Sequence, residues 1–345
     1  MTEERRITGK VLVVGGGIAG IQASLDLAEM GAEVFLLEEA PSIGGRMAKL
    51  DKTFPTNDCA LCILSPKLVD AGGHPRIKLL TNSSLLDVSG TAGEFTARVL
   101  RRPRYVSLEK CTGCGICVQK CPVKVKDPFN QMLCETKAIR VPFPQAIPLA
   151  AVIDDKSCLM LTKKRCGICR KACDAGAVEY EQKPEEIELK VGSVILAAGS
   201  SEFDPALRRE FGYGRFENVV TSLEFERMLC ASGPSGGRVR RPSDGKEPKR
   251  IAFLQCVGSR DRVAGSPACS SMCCMQAVKE TVVAAEHVPG LSAAIFGIDL
   301  RAQGKHFDAF VERAEREHGV RFLRSRATGL KQDRGGNLVV QRVGD

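Results

Sequence analysis

The chain has 345 residues, 43% hydrophobic and 26% charged, which suits a soluble globular protein of two or three domains with a sizeable core. Trp is absent and aromatics make up 5%, which excludes a base-stacking platform, and the net charge of +9 concentrates in basic runs at 101–104 and 238–250 that read as solvated loops or a docking face for an acidic partner. Sixteen cysteines, no leader pattern at the amino terminus and no apolar run of about 18 residues favour a cytoplasmic chain without a membrane span, whose thiols ligate metal or carry redox chemistry.

In chain order, "KVLVVGGGIAGIQASLDLAEMGAEVFLLEEAPSIGGRM" reads as a βαβ unit. Arg5-Arg6 ahead of it is similar to a twin-arginine start, but the apolar run behind flows into a glycine turn and reads as a strand. Val11–Val14 is apolar throughout, as expected of a strand buried on both faces. Gly15, Gly17 and Gly20 form GxGxxG, which lets the backbone approach a pyrophosphate and aims a helix N-terminus at its charge. That helix runs through Ile21, Leu25, Leu27 and Ala28 to stop near Gly31, and strand Val34–Leu37 ends at Glu38, placed for ribose hydroxyls. The Gly44-Gly45-Arg46 turn resembles FAD-binding flavoproteins of the disulfide-reductase superfamily, which makes the dinucleotide FAD. "KVGSVILAAGS" (190–200) resembles the strand and glycine turn that close that FAD domain, adding Ala198 and Gly199. Cys59 and Cys62 form a CxxC, read either as a thioredoxin-like redox pair or as a segment packed near the flavin.

Between the two FAD segments lies CxxCxxCxxxCP: Cys111, Cys114, Cys117, Cys121 and Pro122. Its partner is Cys158, Cys166, Cys169 and Cys173, with the first cysteine displaced upstream. In two-cluster ferredoxins the fourth cysteine of each motif serves the other cluster. The expectation is therefore one [4Fe–4S] cluster on Cys111, Cys114, Cys117 and Cys173, and another on Cys158, Cys166, Cys169 and Cys121. Zinc is the competing reading. The Pro-rich apolar link 138–154 is expected to pack this insert onto the flavin domain.

After a basic, Gly/Pro-rich linker (233–248), Ile251–Gln255 reads as a strand ending at Cys256. Ser266 and Pro267 are expected to start a helix that carries Cys269 and Cys273 on one face, with Cys274 about 100° away. A cluster, buried or reactive thiols, and zinc all remain open for these four cysteines. No GxGxxG follows this strand, so the usual NAD(P)H grip is missing.

"FPTNDCALCILSPKLV", "CTGCGICVQKCP", "VPFPQAIPLAAVID", "FLQCVGSRD", "CSSMCCMQAVKE" and "IDLRAQGKHFDAF" together resemble the A-type subunit of heterodisulfide reductase, with the match running from about 10 to 326. The resemblance implies that Cys256, Cys269, Cys273 and Cys274 hold a flavin-proximal [4Fe–4S] cluster, and that Lys279 lies near the flavin ring; a surface helix lysine is the plain alternative. Of the three clusters, the flavin-proximal one is expected to be retained best. The chain's length is similar to that of the short form found in sulfur-oxidising bacteria. Partners would be B- and C-type subunits, and a homodimer is compatible. Cys134 and Cys230 read as small core or surface side chains, and the four histidines form no ligand-like pair.

The expected fold is α/β: a Rossmann-like FAD domain of thioredoxin/disulfide-reductase type (1–104 and 181–248, linker included), an inserted two-cluster ferredoxin (105–180) and a second Rossmann-like domain (249–345). The expected function is that of an FAD and [4Fe–4S] electron-transfer component of a heterodisulfide reductase-like complex, in dissimilatory sulfur oxidation. The alternatives are an electron-bifurcating A-type component of the methanogen kind, a stand-alone NAD(P)H-dependent flavin disulfide reductase using Cys59 and Cys62, and a non-catalytic redox sensor.

Overall fold

The computed structural model describes residues 8–263 and 266–343; the amino-terminal start, expected to be leaderless, lies outside the described residues. The chain divides into two compact units, one running up to Ala48 and resuming over Leu61–Ser200, the other made of Lys49–Ala60 and Ser201 onward.

The first unit contains, in chain order, β1 (Lys10–Val14), α1 (Ile18–Glu29), β2 (Glu33–Leu37), α2 (Ala60–Gly73), β3 (Ile77–Leu80), β4 (Ser83–Thr91) and β5 (Glu94–Arg101). The 105–180 stretch follows with α3 (Ile116–Lys120), β6 (Lys124–Lys126), β7 (Glu135–Lys137), β8 (Ile139–Arg140), β9 (Val152–Ile153), α4 (Leu159–Lys163) and α5 (Ile168–Lys171), and β10 (Glu185–Val191) and β11 (Ser193–Leu196) close the unit. One parallel sheet runs β11-β1-β2-β3 and one antiparallel sheet β10-β5-β4.

Strand β1 is apolar throughout because both its faces are covered. Val13 packs with Ile21, Leu25, Leu64 and Leu68 of α1 and α2 on one side. Leu12 packs with Ala97, Val99, Leu189 and Val191 of the antiparallel sheet on the other.

The 105–180 stretch leaves after β5 and returns into β10, and these two strands pair from Glu185↔Arg101 to Val191↔Phe95. Its root is therefore narrow. The apolar link seats it as expected: Phe143 and Ala146 enter the core of the parallel sheet, and the Ile43 amide donates to the Ile147 carbonyl at 3.0 Å. Arg104 clamps the same root. This buried guanidinium donates to the carbonyls of Pro41 and Ala150 (3.3 Å for the latter) and to Thr81 Oγ1 at 3.2 Å. Burial pulls its pKa down to about 10.

The second unit adds α6 (Ser222–Leu229), β12 (Arg250–Leu254), α7 (Cys273–His287), β13 (Ser292–Gly297), α8 (Phe307–His318), β14 (Arg321–Arg324), β15 (Ala327–Gln332) and β16 (Leu338–Arg342). The parallel sheet β12-β13-β14 with its two crossover helices is a βαβαβ unit, and β15–β16 is a hairpin. Val278, Val282, Ile295, Phe310 and Ala314 form the core between helices and sheet. A Thr221–Glu224 capping box fixes the start of α6.

The carbonyls that Arg104 serves are held by a charged donor, whose hydrogen bonds are worth roughly 1.5–3 kcal/mol each. Arg104→Met is therefore expected to lower the stability of the chain by about 2 kcal/mol or more. Urea denaturation followed by circular dichroism measures this, and an unchanged midpoint would mean that the clamp carries no load.

Candidate functional site

The three segments expected to bind FAD meet in the first unit. Gly15 and Gly20 are packing glycines: a Cβ on Gly15 would lie 2.2 Å from the Ala197 carbonyl oxygen, and one on Gly20 would lie 1.8 Å from that of Gly15. Gly17 differs, since a Cβ there would meet nothing within 4 Å. It stands at the N-cap of α1 without a side-chain cap, so the open space faces the free amides of the first turn. Gly44 donates its amide to Gly16 O at 2.7 Å, and a Cβ on Gly45 would sit 2.8 Å from the Gly17 Cα. Arg46 reaches across to Ser200 O at 2.9 Å, beside Ala198 and Gly199. The Glu38 carboxylate accepts the amides of Gly16 and Ala40, both at 2.7 Å, which orients it at the end of β2. A backbone cradle with one acid at its edge fits a dinucleotide.

In the 105–180 stretch, Cys121, Cys158, Cys166 and Cys169 line one small cavity, together with Met160 and Tyr180 among others. These are the four thiols that the interleaving pattern joins. Cys169 and the Tyr180 hydroxyl are hydrogen-bonded at 2.9 Å. Burial, with Cys111, Cys169 and Cys114 nearby, pushes the Cys117 thiol up to about 11. Cys111, Cys117 and Cys173 pack against the same small core, where Cys173 Sγ accepts the Ala177 amide at 3.4 Å. Among the described residues, no three Cys, His, Asp or Glu side chains stand as a site for a single metal ion.

In the second unit the structure corrects one expectation. The helix does not start at Pro267: α7 begins at Cys273, with Met272 as its N-cap. Ser266 instead exchanges backbone hydrogen bonds with Asp261, at 2.9 and 3.1 Å, and the Asp261 carboxylate is tied to Arg208 and Arg326. Cys269 therefore lies in a loop, and the adjacent Cys273 and Cys274 occupy the first two helical positions.

Cys256 follows β12 in a left-handed conformation (φ 62), which costs a non-glycine residue roughly 1–3 kcal/mol. The Ser271 amide donates to Cys269 Sγ at 3.4 Å. The Cys274 thiol donates to the Asp299 carbonyl at 3.9 Å, and the contact between the adjacent thiols brings Cys273 down to about 6 and raises Cys274. Four soft sulfurs at a strand end, a loop and a helix start suit an iron–sulfur cluster, whose potential hydrogen bonds to sulfur tune.

Lys279 is a second correction to a plain reading. It is fully buried, where a helix-surface lysine was the alternative, and it forms an ion pair with Glu226 of α6. Gln276 Nε2 donates to Glu226 at 2.6 Å and to Glu280 at 2.7 Å, and the Asp51 amide donates to Glu226 at 3.0 Å. Glu280 accepts from Ser222 as well, while its Oε2 has no partner. Burial, then the negative charge of Glu226, raises the Glu280 pKa well above the usual carboxylate range. Glu226 and Glu280 escaped sequence reasoning because acids of ordinary appearance carry no local sign of burial.

Cys59 and Cys62 are disulfide-bonded, and none of the other fourteen cysteines is in a disulfide. No helix among the described residues is long and apolar enough to cross a membrane.

Residues 10–177 match the FAD dependent oxidoreductase family. The A-type iron–sulfur subunit 2 of CoB–CoM heterodisulfide reductase from Methanopyrus kandleri is 49% identical over 336 residues, covering 97% of this chain and 50% of that protein. The A-type iron–sulfur subunit of CoB–CoM heterodisulfide reductase from Methanocaldococcus jannaschii is 48% identical over 334 residues, with the same coverage of 97% and 50%. The A-type subunit of the H2:CoB–CoM heterodisulfide, ferredoxin reductase from Methanothermobacter marburgensis is 47% identical over 320 residues, covering 93% and 48%. The chain spans about half the length of the curated relatives it matches.

A raised Glu280 pKa makes stability depend on pH in a definite direction. The unfolded carboxyl ionises near about 4.3, while the folded one keeps its proton to higher pH, so the stabilising contribution is complete at low pH and is lost as pH rises toward the folded value. Asp51, also raised, chiefly by burial, adds to the same slope. Glu280→Gln has no proton to release. Its loss of stability between pH 5 and pH 8, measured by urea denaturation, is expected to be smaller than the wild type's by on the order of 1 kcal/mol. Parallel pH profiles would show that Glu280 is ionised in the folded protein.

Proposed function

Because the chain belongs to the family of heterodisulfide reductase A-type subunits, we propose that it is the flavin- and iron–sulfur-bearing electron-transfer part of a heterodisulfide reductase-type complex, an oxidoreductase component with B- and C-type subunits for partners. The observation that carries this reading is the cavity lined by Cys121, Cys158, Cys166 and Cys169, where one thiol of the first motif joins three of the second.

When bound, FAD supplies two-electron storage with release in single steps, and [4Fe–4S] clusters supply one-electron transfer. The chain's own residues do the rest. Gly17 and the first turn of α1 receive the pyrophosphate, Gly15 and Gly20 keep that turn tight, and Glu38 holds the ribose. Gly44, Gly45, Arg46, Ala198 and Gly199 form the rim of the cradle. Cys256, Cys269, Cys273 and Cys274 hold the flavin-proximal cluster, and the two interleaved quartets hold the clusters of the insert. Lys279 takes the flavin-side role that the family resemblance gives it, its charge balanced by Glu226. With no glycine-rich grip after β12, electrons enter through partner proteins.

The relatives named above are, by their names, CoB–CoM heterodisulfide reductases. The substrate class proposed for the complex is accordingly a heterodisulfide or a related sulfur–sulfur bond, handled on other chains. The disulfide-bonded Cys59 and Cys62 favour a second reading, a thiol-active flavin disulfide reductase.

Anaerobic purification with flavin, iron and acid-labile sulfide assays separates the two. The relay requires FAD and about twelve irons per chain, four for each of three clusters. Cys256→Ala is expected to keep the flavin and lose about four irons, and Cys114→Ala to lose iron from the insert. A wild-type protein with flavin but no iron sinks the relay. Bleaching of its flavin by NADPH alone, with thiol turnover lost in Cys59→Ser, would establish the second reading.

A further inference from the structure

Three charged side chains gather beside the thiols of the second unit. The loop that leaves Cys256 carries Arg260 in a left-handed conformation (φ 54), and the Arg260 amide donates to the Ala268 carbonyl at 3.0 Å, one residue before Cys269. The Arg260 guanidinium forms an ion pair with Asp299, which lies just beyond β13. Arg301 Nε reaches the same Asp299 oxygen at 3.4 Å. The Asp299 carbonyl in turn accepts the Cys274 thiol at 3.9 Å. One residue thus touches a thiol with its backbone and two guanidiniums with its side chain.

This bridge carries excess positive charge. Lys279, farther along α7, is balanced by Glu226, and Arg208 and Arg326 are met by Asp261 and Glu210. At Asp299, two guanidiniums meet one carboxylate. Asp299 chiefly, with Cys256 and Cys269 nearby, raises the pKa of Arg260, so its charge is permanent. The three side chains are 22–37% exposed, where an ion pair adds little to stability. A mechanical brace is a weak reason for them.

What the thiols would hold gives a stronger one. A cluster on four thiolates is anionic, and reduction adds one more negative charge with no bond made or broken. A cation held nearby favours the reduced state, and Cys256 and Cys274 are buried, where water screens charge poorly. We propose that Arg260, held by Asp299 and flanked by Arg301, raises the reduction potential of the cluster on Cys256, Cys269, Cys273 and Cys274. The proposal rests on the iron–sulfur reading given above. The Asp299 carboxylate works against the arginines, so the two ends of one bridge pull the potential in opposite directions. A brace behaves differently, because losing either of its ends has the same consequence.

The test is an anaerobic dithionite titration of the full chain, followed by low-temperature paramagnetic resonance on the signal that Cys256→Ala lacks. Arg260→Gln is expected to shift the reduction equilibrium of that site about tenfold toward the oxidised form, which is about 59 mV for one electron. Arg260→Lys keeps the charge and is expected to stay within about threefold of the wild type. Asp299→Asn is expected to shift the equilibrium by about threefold or more the other way. Lys331→Gln, an equal charge change on the exposed face of β15, is expected to move it by less than about twofold. If Arg260→Gln loses iron, the direction of the Asp299→Asn shift decides. Shifts of Arg260→Gln and Asp299→Asn in the same direction, no shift in either, or an equal shift in Arg260→Lys or Lys331→Gln would each overturn the tuning role. A wild type without the iron that Cys256→Ala should lose defeats the iron–sulfur reading itself, whereas full iron with unmoved potentials defeats the tuning alone.

Discussion

The pairing of β1 with β11, Val11↔Ser193 through Val14↔Leu196, is the constraint on which the first unit depends. It joins strands about 180 residues apart and brings Ala197 against the glycine turn, so closely that Gly15 could not carry a Cβ. The 105–180 stretch leaves after β5 and returns into β10, and the antiparallel register of these two strands pins its ends together. Closing a long loop costs only slowly more as it lengthens. A 76-residue insert (105–180) can thus hang from a nucleotide-binding fold without disturbing its turn, and the Arg104 clamp and the Ile43–Ile147 bridge seat it at its root.

The second unit rests on a different balance. Two carboxylates and one lysine are buried between α6 and α7, and one pair of charges cancels while Glu280 is left over. A buried ion costs several kcal/mol unless matched, and neutralising Glu280 by protonation is the cheaper state. Burial and the charge of Glu226 thus favour the protonated carboxyl of Glu280, on the helix that begins with Cys273 and Cys274.

Much of the chemistry was legible in the sequence, because it lies in short-range spacing. GxGxxG, CxxCxxCxxxCP and the Gly44–Arg46 turn each specify local geometry, and the structure gathers the residues expected to bind FAD around one turn and four interleaved thiols around one cavity. What failed was any feature decided at long range. Ser266 and Pro267 are sound helix-start signals, yet Asp261, held by Arg208 and Arg326, captures Ser266 in a bridge and delays the helix to Cys273. That delay puts Cys273 and Cys274 in the first turn of the helix rather than in its second. Lys279 is buried for a similar reason: its partner lies 53 residues earlier, on a helix no local pattern could connect to it.

A single chain that holds flavin and clusters in electronic contact is the central claim, and an anaerobic reductive titration tests it most directly. Flavin absorbance and low-temperature paramagnetic resonance are recorded on the same samples as reductant is added. The expected result is a flavin that bleaches as signals of reduced [4Fe–4S] clusters appear, the low-potential ones last. A flavin that bleaches fully while no cluster signal develops at any stage would contradict it.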